Sequence, residues 1–246
     1  MDNTLFLIAA LVGYLAGSLS FARIVTRLRG AGVDLTTLKV QLKDSAQAED
    51  VGIVGANAAS MVLGPRWGLT VALLDMLKVV LPMLVFRSLY PADYYHLAAS
   101  VGGLVGHNWP VYYRFKGGRG FAVIFGSFIL LDWVGALLCT LGGLAFGMMI
   151  LGNTMIAYIS WLWLMIPWLA WRMGTPGLVY ALVINLIFIA ATIPEIRLML
   201  RMRRTGTYQA YIEGLYGSSP RWRGMKKMTD RLWLLRPFFE KNSSTE

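Results

Sequence analysis

Cysteine is almost missing from this chain. Cys139 stands alone among 246 residues, inside an apolar segment, which excludes an internal disulfide and any cysteine metal cluster. Histidine is nearly as scarce, with only His96 and His107. No HExxH pair, Ser-His-Asp order, paired-carboxylate motif or Cys/His metal spacing is present, nor any internal repeat or low-complexity tract. Charge is thin as well: 15% of residues are Asp, Glu, Lys or Arg, against about 25% in a soluble domain.

Apolar sequence takes up the space. The chain is 57% hydrophobic with mean hydropathy +0.56, the composition of an integral membrane protein. Its apolar segments approach the ~20 residues a spanning helix needs, and they do not alternate as barrel strands do. Seven spans are predicted, over about 4–21, 66–86, 97–113, 121–131, 134–151, 155–171 and 176–193. The first has no basic stretch before it and is followed by Arg23, Arg27 and Arg29, so it reads as a retained helix, not a cleaved signal. Residues 23–50 read as a polar connection. The glycine-rich stretch 51–64 is too short to span and too apolar for a solvated linker, which suits a re-entrant or interfacial piece.

With seven spans, 20 of the 23 Lys and Arg fall on one side, which the positive-inside rule makes cytoplasmic. The expected fold is therefore all-α, integral to the inner membrane, with the N-terminus outside and the C-terminus cytoplasmic. A membrane domain over 1–200 precedes a basic, amphipathic cytoplasmic tail over 201–246. Arg201, Arg203, Arg204, Arg221, Arg223, Lys226 and Lys227, with Trp222 and Trp233, suit an interfacial helix on anionic lipid. The net charge of +10 is thus explained by topology, and nucleic acid is not an expected partner.

One stretch concentrates polar chemistry: GHNWPVYYRFKGGRG, from Gly106 to Gly120, between the third and fourth apolar runs. In Lys116-Gly117-Gly118-Arg119-Gly120, three glycines permit φ > 0 and close backbone approach, and two cations supply charge. A helix starting near Phe121 aims its positive end at the same place. This is either a phosphate or carboxylate cradle or an ordinary basic loop. Asp75 and Lys78, three apart on one helical face, are a substrate-orienting pair or a bundle-locking one. His107 is a general base, a phosphate ligand or an interfacial residue, while Asn153 and Asn185 are read as helix–helix hydrogen-bonding groups.

GHNWPVYYRFKGGRGFA resembles the central motif of the bacterial acyl-phosphate-dependent glycerol-3-phosphate acyltransferases, the PlsY family. The likeness extends to Gly17-Ser18-Leu19-Ser20-Phe21 and from Trp67-Gly68-Leu69 through Asp75-Met76-Leu77-Lys78, roughly residues 5–200 in all. It implies a PlsY-like membrane fold and transfer of a fatty acyl group from acyl phosphate to glycerol 3-phosphate, or a related small alcohol, in phospholipid synthesis. Neither acyl-CoA, metal nor other cofactor is implied. Lys116, Gly117, Gly118, Arg119 and Gly120 would hold phosphate, with Arg119 where the family commonly has Lys. His107 and Asn108 would border the catalytic site, Asp75 and Lys78 would support substrate binding there, and Gly52, Gly55 and Asn57 of the first motif would also bind phosphate or substrate.

Two motifs depart from the family pattern. In the first, Val51, Ile53 and Met61 replace a Ser, an Asn and an Arg, and Asn57 falls one place early. The third, normally HxxN, reads Thr192-Ile193-Pro194-Glu195-Ile196-Arg197. These departures leave an alternative: a non-catalytic paralogue that binds lipid, a phosphate ligand or a protein. A transporter fits less well, because intramembrane charge is confined to Asp75 and Lys78.

Overall fold

A computed structural model describes residues 2–50 and 54–235. Helices dominate. Helix α1 (Asn3–Gly17) leads through a break at 18–20 into α2 (Phe21–Leu28). A short hairpin, β1 (Lys39–Gln41) with β2 (Ala48–Asp50), then precedes α3 (Ala56–Leu63). After these come α4 (Pro65–Leu89), α5 (Tyr95–Asn108), α6 (Phe121–Leu131) and α7 (Trp133–Ala145), the last extended by a π turn over Phe146–Ile150. The long α8 (Thr154–Thr205) follows, then α9 (Tyr208–Ser218) and α10 (Pro220–Leu232).

Four described helical stretches are long and apolar enough to cross a membrane: Asn3–Leu28, Pro65–Leu89, Trp133–Ile150 and Thr154–Arg204. Their faces are sorted inside out relative to a soluble protein. On α4, Leu69, Leu73, Leu77 and Leu81 recur every fourth residue and are exposed. The opposite face buries Val71, Asp75, Lys78, Val79 and Met83. A leucine stripe outward and charges inward is the arrangement lipid demands.

Glycine fixes how closely two of these helices approach. A Cβ on Gly13 or Gly17 of α1 would strike the backbone of Ala99 or Gly103 on α5. Small residues thus bring two backbones into direct contact, and dispersion between them replaces the hydrophobic drive that lipid removes. Any side chain at Gly17 separates α1 from α5 and moves everything the pair supports.

Three sequence expectations need correction. The third helix stops at Asn108 instead of reaching Tyr113, because Pro110 ends it and a short 3-10 turn follows at Val111–Tyr113. The supposed polar connection over 23–50 holds α2 and the hairpin; strands of three residues leave no periodic signal to read. The tail is also not simply laid on lipid. Tyr211, Ile212, Leu215 and Trp222 from α9 and α10 bury against Val40 and Leu42 of the hairpin segment and Met202 of α8, forming a second core. Trp222 packs inside because its ring meets Tyr158 at 5.1 Å.

Two further details are local. Asn153 caps α8, accepting from the amides of Met155 and Ile156, and so is not a helix–helix bridge. Asn185 does bridge helices, donating to the Leu162 carbonyl at 3.1 Å. Within α8, Gly174 takes φ 64°, ψ −146° and divides the element into segments 154–173 and 175–205.

Candidate functional site

The break between α1 and α2 starts the site. Leu19 and Ser20 leave the helical path, so the Leu19 carbonyl lacks an intrahelical donor. The Lys78 ammonium from α4 supplies one, at 2.6 Å. Lys78 Nζ also donates to His107 Nδ1 on α5 at 2.9 Å and ion-pairs with Asp75 Oδ1 at 2.8 Å. Asp75 and Lys78 are buried, so neither charge has water to solvate it. Three helices are tied through one cation, and removing it leaves a carboxylate stranded in low dielectric.

Proton placement on His107 follows from this contact. An ammonium only donates, so Nδ1 accepts, and a neutral ring then carries its proton on Nε2. The Nε2 edge faces Gly118: a Cβ built there would collide with it. His107 therefore presents a donor, not a base, to the glycine loop.

That loop folds back over the end of α5. The Gly118 amide donates to the His107 carbonyl at 3.1 Å, and Val54 N donates to Gly117 O at 3.3 Å. The loop's turn is not made as the sequence suggests. Arg114 and Phe115 take the left-handed conformation, φ 52° and 59°, and among the three glycines only Gly120 has positive φ, 79°. Gly117 and Gly118 are required for close approach: side chains there would meet His107, Asn108 and Pro110. Gly120 caps α6 without a side chain, leaving the helix's first amides directed at the loop.

A narrow cleft of about 10 Å³, room for roughly one water molecule, lies under the loop. Asp75, Lys78, His107, Gly117 and Gly118 line it from the predicted set. Other predicted residues stand around it. Lys116 is exposed at the rim, its carbonyl accepting from Arg23 at 2.7 Å, while Arg23 stacks on Tyr113 at 4.6 Å. Asn108 is buried, and neither of its amide atoms has a protein partner. Gly55 caps α3. Asn57 is not free for a ligand, since Ser219 of the tail donates to its Oδ1 at 2.7 Å. Gly52 falls outside the described residues.

Arg119 departs most from expectation. Its Nε donates to Glu195 Oε2 at 2.8 Å, its second terminal nitrogen pairs with Oε1, and the remaining one donates to Gly118 O at 3.0 Å. The predicted phosphate ligand is thus engaged by a carboxylate. The sequence reading passed over that carboxylate as the place where a motif was lost. A lone acid at the start of a basic stretch is the only signal that marked it.

Sequence comparison matches residues 7–202 to the family described as glycerol-3-phosphate acyltransferase, and the chain belongs to that family. Among relatives, glycerol-3-phosphate acyltransferase 5 of Dehalococcoides mccartyi is 32% identical over 146 residues, covering 59% of this chain and 58% of that one. The Halalkalibacterium halodurans glycerol-3-phosphate acyltransferase is 36% identical over 115 residues, 46% of this chain and 50% of that one. The chain spans about half the length of the curated relatives it matches. Two crystal structures of PlsY, an integral membrane glycerol 3-phosphate acyltransferase, superpose with TM-score 0.64, covering 80% of this chain and 93% of theirs. The lysophosphatidic acid form is 25% identical and the glycerol 3-phosphate form 26%. With its lipid-facing helices, the chain is an integral membrane protein of all-helical PlsY type.

Proposed function

We propose that this protein transfers a fatty acyl group from acyl phosphate to the 1-hydroxyl of glycerol 3-phosphate, or of a related small alcohol, at the cytoplasmic face of the inner membrane. Family membership supports the reaction class, and the likeness to PlsY in its glycerol 3-phosphate form supports the acceptor. The observation that carries the reading is the pocket in which the Lys78–His107 pair lies beneath Gly117 and Gly118.

The chemistry asks little of the protein beyond positioning. Acyl phosphate is already activated: the acceptor oxygen attacks the acyl carbon, the carbon–oxygen bond to phosphate breaks, and phosphate leaves. A phosphate oxygen takes the hydroxyl proton, so no protein base is needed. His107 Nε2–H, the first amides of α6 and the amide of Asn108 are the donors at hand for phosphate oxygens, and Lys116 adds charge at the rim. Asp75 and Lys78 hold the histidine.

Topology belongs to the same proposal. Reading the bend at Gly174 as the divide between two crossings of α8 gives seven with α1, α4, α5, α6 and α7, and the non-helical backbone at that glycine supports the reading. That count puts the N-terminus outside and gathers 20 of 23 Lys and Arg on the cytoplasmic side. Residues 1–200 form the membrane domain, and 201–246 a basic cytoplasmic tail. Purified protein given radiolabelled glycerol 3-phosphate and palmitoyl phosphate is expected to make lysophosphatidic acid. No product above a protein-free control rejects the enzyme in favour of a binding paralogue.

A further inference from the structure

We infer that Glu195 is a resident stand-in for the ligand's phosphate, seated on Arg119, and that an incoming phosphate must displace it. The inference rests on the reading of residues 116–120 as the anion seat. The Nε edge of a guanidinium is a planar fork matched equally well to a carboxylate and to a phosphate. Here that edge is filled by both Glu195 oxygens, and the third nitrogen donates one of its hydrogens to the Gly118 carbonyl. The pair is largely shielded, with 15% and 18% of the side chains exposed, so water weakens it little.

Arg119 is therefore neutralised without being removed. The carboxylate comes from the last turns of α8, where the chain departs from the family's third motif, so the device belongs to this chain's own sequence. The tail backs it from behind: the Tyr211 hydroxyl is pushed up to about 12 by burial and then by the Glu195 and Glu49 carboxylates. Two consequences follow. Phosphate affinity is set by exchange between two anions on one guanidinium, not by capture on an open cation. A doubly charged phosphate ester also competes better than any singly charged ligand, so Glu195 sets selectivity for the dianion.

The test is titration calorimetry of the full chain in detergent with glycerol 3-phosphate. Glu195→Gln keeps the shape and removes the charge, and is expected to tighten binding about tenfold or more. Glu195→Asp shortens the reach so that both oxygens no longer meet the fork, and is expected to tighten it as well. The gain should disappear in an Arg119→Ala background, where there is no seat to vacate. Glu213→Gln, a carboxylate paired with Lys43 on the tail, controls for bulk charge and should change affinity less than about twofold. Unchanged or weaker binding in both Glu195 variants, or unfolding of both, makes Glu195 a structural partner and overturns the inference. Failure of acyl transfer with these gains intact rejects the proposed reaction and leaves the inference standing.

Discussion

Lys78 on α4 and His107 on α5 meet at 2.9 Å, ammonium to Nδ1, inside a helix bundle. This contact fixes the histidine's tautomer, aims its other nitrogen at the glycine loop and gives a buried cation a partner besides Asp75. Most of what the site is expected to do depends on that geometry.

Breaking the buried pair one residue at a time should be costly. Lys78→Met leaves Asp75 without its cation and removes donors from both Leu19 O and His107 Nδ1. We expect about 3–5 kcal/mol of destabilisation. The double variant Asp75→Asn with Lys78→Met should recover much of that, since no lone charge remains. Chemical denaturation in detergent micelles checks both, and a double variant no more stable than Lys78→Met refutes the account.

Gly118→Ala tests the close approach directly. The new methyl collides with His107 Nε2 and with the Val54 carbonyl, so the loop must lift off α5. Product formation should fall at least tenfold, while the unfolding midpoint moves only a few degrees, because the loop lies outside the main core. Alanine at Gly217, where nothing lies within reach of a Cβ, should leave activity unchanged. Equal effects at the two positions would remove the loop from the site.

A pH dependence is expected at the opposite end of the molecule. Burial alone would raise the Asp132 carboxyl, but donors from Gly135, Arg172 and Trp168 outweigh it and hold the group below the ordinary carboxylate value. A depressed folded value means stability that is complete above the unfolded pKa, about 3.9, and lost as pH falls through the folded one. The gap in unfolding midpoint between wild type and Asp132→Asn should stay constant from pH 7 to about 5 and shrink below about 4. A gap independent of pH down to 3 would contradict the assignment.

The membrane helices were legible because lipid makes a blunt demand. Helix α6 follows the fourth apolar run residue for residue, from Phe121 to Leu131, and α4 differs from its prediction by a few residues at its ends. The glycine loop was legible as a place but not as a shape. Its left-handed turn sits at Arg114 and Phe115, whose identities give no warning, whereas Gly117 and Gly118 are small for steric reasons. Partners distant in sequence were illegible altogether. Nothing local ties Arg119 to Glu195 or Asn57 to Ser219, because such contacts exist only once α8 and the tail have packed.

The aromatic column at the edge of the loop extends this dependence. Phe121, the residue after the last glycine, stacks on Tyr158 at 3.8 Å, and Tyr158 meets Trp222 at 5.1 Å. Arg221 lies over both Tyr158 and Trp222. Three rings in series thus run from the first turn of α10 to the first turn of α6. Moving α10 would therefore withdraw the ring contact behind Tyr158, on which the first residue of α6, next to the glycine loop, is stacked.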